Sequence, residues 1–163
     1  MRTFSFLAIA IVCLTSNVAQ AASYEVNVTR KGSNSYQVDG KSIRIITRYC
    51  YAYAYSEEAI LKSNGYGGGD LIFLESKDKC DIKAIYTKND PKPGKYKINV
   101  THESDDWYEV QGVNIFLQTS MCLSLTLGDE AFLKISPGGY GTLIFDDGQS
   151  CTVEATFSKI KLD

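Results

Sequence analysis

Apolar and polar residues alternate through Tyr24-Glu25-Val26-Asn27-Val28-Thr29, the pattern of a strand with one face buried. The same alternation returns at Tyr96-Lys97-Ile98-Asn99-Val100-Thr101. Between them, Tyr36-Gln37-Val38 and Ser42-Ile43 flank Asp39-Gly40, a two-residue hairpin signal. A long strand then runs from Ile43 to Tyr55. Ser56-Glu57-Glu58 turns it back into Ala59-Ile60-Leu61-Lys62. A glycine-rich tip at 64–69, a Leu71-Ile72-Phe73 strand and a last strand from Cys80 follow. Nowhere do apolar residues keep a 3.6-residue period over three turns with capping signals, so almost no helix is expected.

The whole series occurs twice. Residues 24–73 align with 96–145 without a gap, and nineteen of the fifty pairs are identical. Beyond Phe73 a one-residue deletion brings Cys80 onto Cys151 and Ala84 onto Ala155. This is a duplication, and internal repetition settles architecture before anything else does. Two prolines and a glycine in Asn89-Asp90-Pro91-Lys92-Pro93-Gly94 interrupt any ladder, which marks a short linker at 90–93. The expected fold is all-β: two tandem antiparallel units of roughly 65–70 residues, 22–89 and 94–163. They would pack as two small domains or as one pseudo-symmetric sandwich.

The N-terminus narrows the compartment. Met1-Arg2-Thr3 precedes an apolar run at 4–14, and Ala19-Gln20-Ala21 fits a cleavage site, so residues 1–21 read as a signal peptide. The run is too short to span a bilayer, which takes about 20 apolar residues. Val12 before Cys13 is a poor lipoprotein signal. The mature protein is therefore expected to be periplasmic or secreted, without a membrane span. It keeps four cysteines, Cys50, Cys80, Cys122 and Cys151. An even number in an exported chain reads as disulfides. Each repeat should carry its own bridge, so Cys50 pairs with Cys80 and Cys122 with Cys151. Their isolation along the chain argues against zinc, and no metal or other cofactor is expected. A formal charge of −2 argues against a nucleic-acid partner.

Three features are candidates for function. Tyr49, Tyr51, Tyr53 and Tyr55 fall on one face of a strand. Their echoes are Met121, Leu123, Leu125 and Leu127, and an aliphatic echo is what a core position looks like. Burial in both copies is therefore the plain expectation. Four phenols in need of hydrogen-bond partners pull towards partial exposure, where they would suit a protein interface or stack on sugars.

The second feature is charge. Residues 24–89 hold ten Lys and Arg against eight Asp and Glu; residues 94–163 hold five against ten. Arg30-Lys31-Gly32-Ser33-Asn34 aligns with His102-Glu103-Ser104-Asp105-Asp106, and Trp107 follows. Solvated loops account for this plainly; Arg30 and Lys31, or Glu103, Asp105, Asp106 and Trp107, could also form a recognition patch.

The third is catalysis, which has little support. His102 is the only histidine, no Gly-x-Ser-x-Gly elbow occurs, and the paired acids Glu57/Glu58, Asp105/Asp106 and Asp146/Asp147 sit in expected turns. The glycines at 65–69 lack the Lys-Ser/Thr of a phosphate loop.

The leading expectation is a non-catalytic exported protein that binds another protein, such as an exported enzyme or toxin that it restrains. A carbohydrate or envelope-surface module using the tyrosines is the alternative, and a carboxylate-dependent hydrolase is third.

Overall fold

The computed structural model describes residues 22–162; the expected signal peptide lies outside them. Twelve antiparallel strands make the fold: β1 (Ser23–Gly32), β2 (Ser35–Val38), β3 (Ile43–Arg48), β4 (Glu57–Ser63), β5 (Gly69–Phe73), β6 (Lys79–Asn89), β7 (Gly94–Ser104), β8 (Trp107–Val110), β9 (Ile115–Ser120), β10 (Leu127–Ile135), β11 (Gly141–Phe145) and β12 (Ser150–Ile160). Among the described residues there is no helix.

The strands pair in the ring β4-β1-β2-β3-β6-β5, and β5 is bonded to both β4 and β6, which closes it. The second copy repeats the ring as β10-β7-β8-β9-β12-β11. Closure removes the exposed strand edges that invite aggregation. Of the two expected packings it is the pair of small units that forms: two six-stranded barrels, each around its own core. Val28, Tyr36, Leu71 and Phe73 fill one; Val100, Tyr108, Leu143 and Phe145 fill the other. All eight are among the residues the two copies share. The barrel is therefore the part that duplication has preserved.

The expected disulfides form. Cys50 is bonded to Cys80 and Cys122 to Cys151, one bridge per barrel. In the chain-entropy account, closing a loop of this length stabilises each unit by about 3–4 kcal/mol. Two such bridges fit an oxidising compartment.

The barrels are joined through the two longest strands. The first halves of β6 and β12 pair with β5 and β11 of their own barrels. Their second halves pair with each other, Thr156 with Asn89, Ser158 with Thr87 and Ile160 with Ile85. By the repeat alignment Thr87 and Ser158 are equivalent, so a pseudo-twofold axis passes between them. The first halves, with Cys80 and Cys151, point away from that axis in opposite directions.

A bulge makes this sharing possible. The ladders lose register at Lys83 in β6 and at Glu154 in β12. Such a bulge re-aims the side chains beyond it. Cys80 and Ile82 face the first barrel's core, whereas Ala84 and Tyr86 turn to the opposite face. There they meet Ile46, Trp107, Phe116, Ala155 and Phe157 in a third cluster, a saddle between the barrels. Tyr86 stacks on Trp107 at 5.0 Å between ring centroids and meets Phe116 edge-on at 4.9 Å. At the positions equivalent to Trp107 and Phe116 the first copy has Ser35 and Arg44. The saddle is thus symmetric in backbone and asymmetric in filling.

Candidate functional site

The long strand expected from Ile43 to Tyr55 stops at Arg48. Tyr49 takes a left-handed φ of 50° and breaks it. Residues 50–55 stay extended but leave the ladder, and Ser56, with φ 52°, turns them into β4. Since β3 and β4 are separated by β2 and β1 in the ring, this connection must cross the barrel mouth. It is a strap. The second copy has the same strap at 121–128, bounded by Met121 (φ 54°) and Gly128 (φ 89°). Left-handed tyrosine and methionine are uncommon and cost conformational energy, so the tertiary structure must hold them.

Several ties do so. The phenol of the fully buried Tyr36 donates to the Ala52 carbonyl at 2.7 Å, and that of Tyr108 donates to the Ser124 carbonyl at 2.6 Å. The Arg30 amide donates to Ala54 and the His102 amide to Thr126. The side-chain amide of Asn27 donates to the Ser56 carbonyl, and that of Asn99 to Gly128. In the first copy the Cys50 amide also donates to Asn34 Oδ1 at 2.7 Å. These ties explain why Asn27/Asn99 and Tyr36/Tyr108 are identical across the repeat. The side-chain amides of Asn27 and Asn99, each opening an Asn-Val-Thr triplet, thus serve the strap ends.

Alternation does the rest. Cys50, Ala52 and Ala54 point inward and plug the first barrel, as do Cys122 and Thr126 in the second. The residues between them must point out. Tyr49, Tyr51, Tyr53 and Tyr55 keep 83–86% of their surface exposed, and Met121, Leu123, Leu125 and Leu127 keep 82–91%. The expectation of a buried core face is overturned in both copies. An aliphatic echo signals core only where the strand lies inside a sheet; here it lies across an opening. Each strap is a single-file ridge of four large side chains, repeating every two residues or about 6.6 Å. Soluble proteins rarely expose apolar groups in so continuous a row.

The charged loops meet each other. Lys31-Gly32-Ser33-Asn34 and Ser104-Asp105-Asp106-Trp107 line opposite sides of one groove over the saddle, with Arg44 and Lys83 in its floor. Trp107 is only 8% exposed and belongs to the inter-barrel cluster, not to the solvent-facing loop. Lys83 approaches Glu103 across the barrels at 3.7 Å. Arg30 stands apart from this groove, beside Tyr53 and Tyr55. Glu109 lies next to Glu103, and burial together with the charge and hydrogen bond of Glu103 raises its carboxyl above the ordinary range. Burial, with Glu103 and Glu109 nearby, pushes the Tyr86 phenol up to about 12. Sequence reading missed Glu109, because its neighbour Glu103 belongs to another strand.

Two of the paired acids use their carboxylates in local structure. Glu57 is buried and accepts from the Glu75 and Ser76 amides, and Asp147 Oδ1 accepts from the Gln149 amide. Asp106 enters through its backbone carbonyl, which accepts from Thr119. Among the described residues no group of three or more His, Cys, Asp or Glu could hold a metal ion. No helix among them is long and apolar enough to cross a membrane.

No family, curated protein or solved structure matches the chain. The straps and the saddle groove must therefore be judged on their own chemistry. The groove is polar and its charges already face one another. The straps carry eight large side chains that keep most of their surface exposed.

Proposed function

We propose that this is a non-catalytic binding protein whose straps are its contact surfaces, and that its partner is a protein. The observation that carries the reading is the eightfold exposure of large side chains on two elements whose backbones are held by buried ties. Rigid presentation lowers the ordering cost of an interface, and large anchors supply most of its affinity. Export through the signal sequence puts the encounter in the periplasm or outside the cell. The test is capture from exported proteins of the source cells, with wild-type chain and strap variants as baits, read by mass spectrometry. A protein retained by wild type and lost from a bait that combines Tyr51→Ser, Tyr53→Ser, Leu123→Ser and Leu125→Ser supports the reading. A capture profile that this combined variant keeps unchanged overturns it.

A second reading draws on the tyrosine strap alone. Four exposed phenol rings beside Arg30 suit stacking on sugar rings of an envelope glycan. Leucines offer no such stacking, so this reading leaves the second strap without a purpose. Saturation-transfer NMR with a panel of glycans, with Tyr51→Ser/Tyr53→Ser as control, separates the two.

A further inference from the structure

The two straps match each other better than either matches a generic partner. Both are extended ridges of four outward side chains with the same two-residue spacing, so the side chains of one can seat between those of the other, as on facing sheets. One ridge is aromatic and the other aliphatic. Tyrosine against leucine and methionine is a favourable apolar contact that leaves the phenol oxygens at the rim.

The charge beside the two ridges differs at one flank. Arg30 lies beside Tyr53 and Tyr55 and has His102 as its equivalent in the second copy. Arg48, before the first strap, is ion-paired with Asp81, and Glu58 and Glu75 stand beside Tyr55 at its far end. The second strap has no arginine beside it and carries acids at both ends: Glu154 accepts from Ser120 just before Met121, and exposed Asp129 follows Gly128. The complementary contact is therefore Arg30 of one molecule against Glu154 or Asp129 of the next. In the first copy the residue equivalent to Asp129 is Glu57, whose carboxylate is buried. Acids beside the aliphatic ridge also make it a poor fit to anionic lipid.

Position settles how the ridges can meet. Cys80 and Cys151, which anchor the straps, lie at opposite ends of the β6–β12 ribbon, seven residues each from the pseudo-axis. The path between them along that ribbon is at most about 45 Å. A contact between unlike patches at two ends of one chain is heterologous, and such contacts propagate head to tail.

We propose that the aliphatic strap of one molecule docks on the tyrosine strap of the next, so that the binding partner is a second copy of this chain. This rests on the reading of the straps as contact surfaces and names their occupant. Four tyrosines carry about 150–250 Å² each, so two ridges that cover one another fully bury at most roughly 1,200–2,000 Å², and partial cover lies at the lower end of a specific interface.

The test is sedimentation velocity of the full mature chain over a wide concentration range, with neutral and anionic lipid vesicles as a separate arm. Wild type should grow into open or ring-closed oligomers larger than a dimer. Tyr51→Glu/Tyr53→Glu and Leu123→Glu/Leu125→Glu should each remain monomeric, with self-association weakened about a hundredfold or more. Mixing the two variants should give a one-to-one heterodimer and nothing larger, since each retains one intact strap. That mixture also shows that both variants are folded. A wild-type chain that stays monomeric overturns the proposal, as does one that stops at a dimer or a variant mixture that stays monomeric. Vesicle binding by a monomeric wild type assigns the straps to lipid instead. A monomeric chain whose straps still capture a different protein keeps the functional reading and removes this one.

Discussion

The two straps are one element with two outer faces. Their anchors, the backbone at their ends and their ties agree: a half-cystine at Cys50 or Cys122, left-handed residues at 49 and 56 or 121 and 128, and a phenol from β2 or β8 on a mid-strap carbonyl. The outward residues disagree completely, four tyrosines against one methionine and three leucines. The inward side has changed as well, Ala52 to Ser124 and Ala54 to Thr126, but only among small residues around the shared cysteine. On the solvent side every position stays large. Large apolar character has been kept at eight exposed positions while the kind of apolar group has changed as a set. Each barrel thus presents one ridge of large exposed side chains across a mouth, aromatic in the first copy and aliphatic in the second.

The sharpest way to break this equivalence is to remove the anchor. Cys50→Ala/Cys80→Ala and Cys122→Ala/Cys151→Ala open loops of nearly equal length, with sequence separations of 30 and 29. Each pair of substitutions should cost about 3.5 kcal/mol in urea unfolding. Losses differing by more than about 1.5 kcal/mol would mean that the two straps are not held alike.

Next in size are the phenol ties. Tyr36→Phe and Tyr108→Phe keep the ring in the core and delete the phenol's hold on the strap, at the Ala52 carbonyl and Cys50 Sγ in the first copy and at the Ser124 carbonyl in the second. Each should cost about 1–2 kcal/mol, because a buried carbonyl loses its donor. Limited proteolysis should then cut at 50–55 in the first variant and at 122–127 in the second. Cleavage elsewhere in the barrel would show that the phenol supports the core and not the strap.

How much of this was legible in the sequence depends on which rule governed each residue. Gapless repetition and an even cysteine count specified the all-β units and their bridges, because folding units tend to be self-contained. The strap defeated the same reading. Alternation of Tyr with Cys and Ala is identical for a strand in a sheet and for a chain laid across a barrel mouth. Which side is buried depends on what lies above it, and only the ring closure by β5 and β11 decides that. Trp107 misled for a related reason: its loop is polar in sequence, but the bulges at Lys83 and Glu154 create a second buried face that receives it. Bulges leave no periodic signature. Glycines did carry a readable trace: Gly69 and Gly141 are identical in the repeat because a Cβ there would strike the carbonyl of Lys62 or Lys134 on the neighbouring strand.

Smaller effects on stability separate scaffold from contact surface. Tyr51→Ser/Tyr53→Ser and Leu123→Ser/Leu125→Ser change side chains that are at least 82% exposed. Unfolding free energies should therefore stay within about 0.5 kcal/mol of wild type. A loss of several kcal/mol in either would return that ridge to the core and remove its claim to binding.

The last test concerns the saddle, where the two copies differ in charge. Glu109 and Glu103 are neighbours on β8 and β7, and the carboxyl of Glu109 is raised by burial, by the charge of Glu103 and by their hydrogen bond, with Lys159 opposing. The equivalent pair in the first copy is Gln37 and Lys31, which cannot repel in this way. A carboxyl whose pKa is raised on folding binds its proton more tightly in the native state. Its contribution is present below the unfolded value, near 4.5, and is lost as pH rises through the folded value. At neutral pH the ionised pair is a small burden on the second barrel. Glu109→Gln should remove it, raising stability at neutral pH by a few tenths of a kcal/mol, since the pair is partly solvated. Below the unfolded value the variant and wild type should converge. Unfolding curves collected from acid to neutral pH check the sign: a variant that is less stable than wild type at neutral pH and equal to it in acid would mean that Glu109 is held as a favourable anion by Lys159, and that the saddle's two acids do not act against each other.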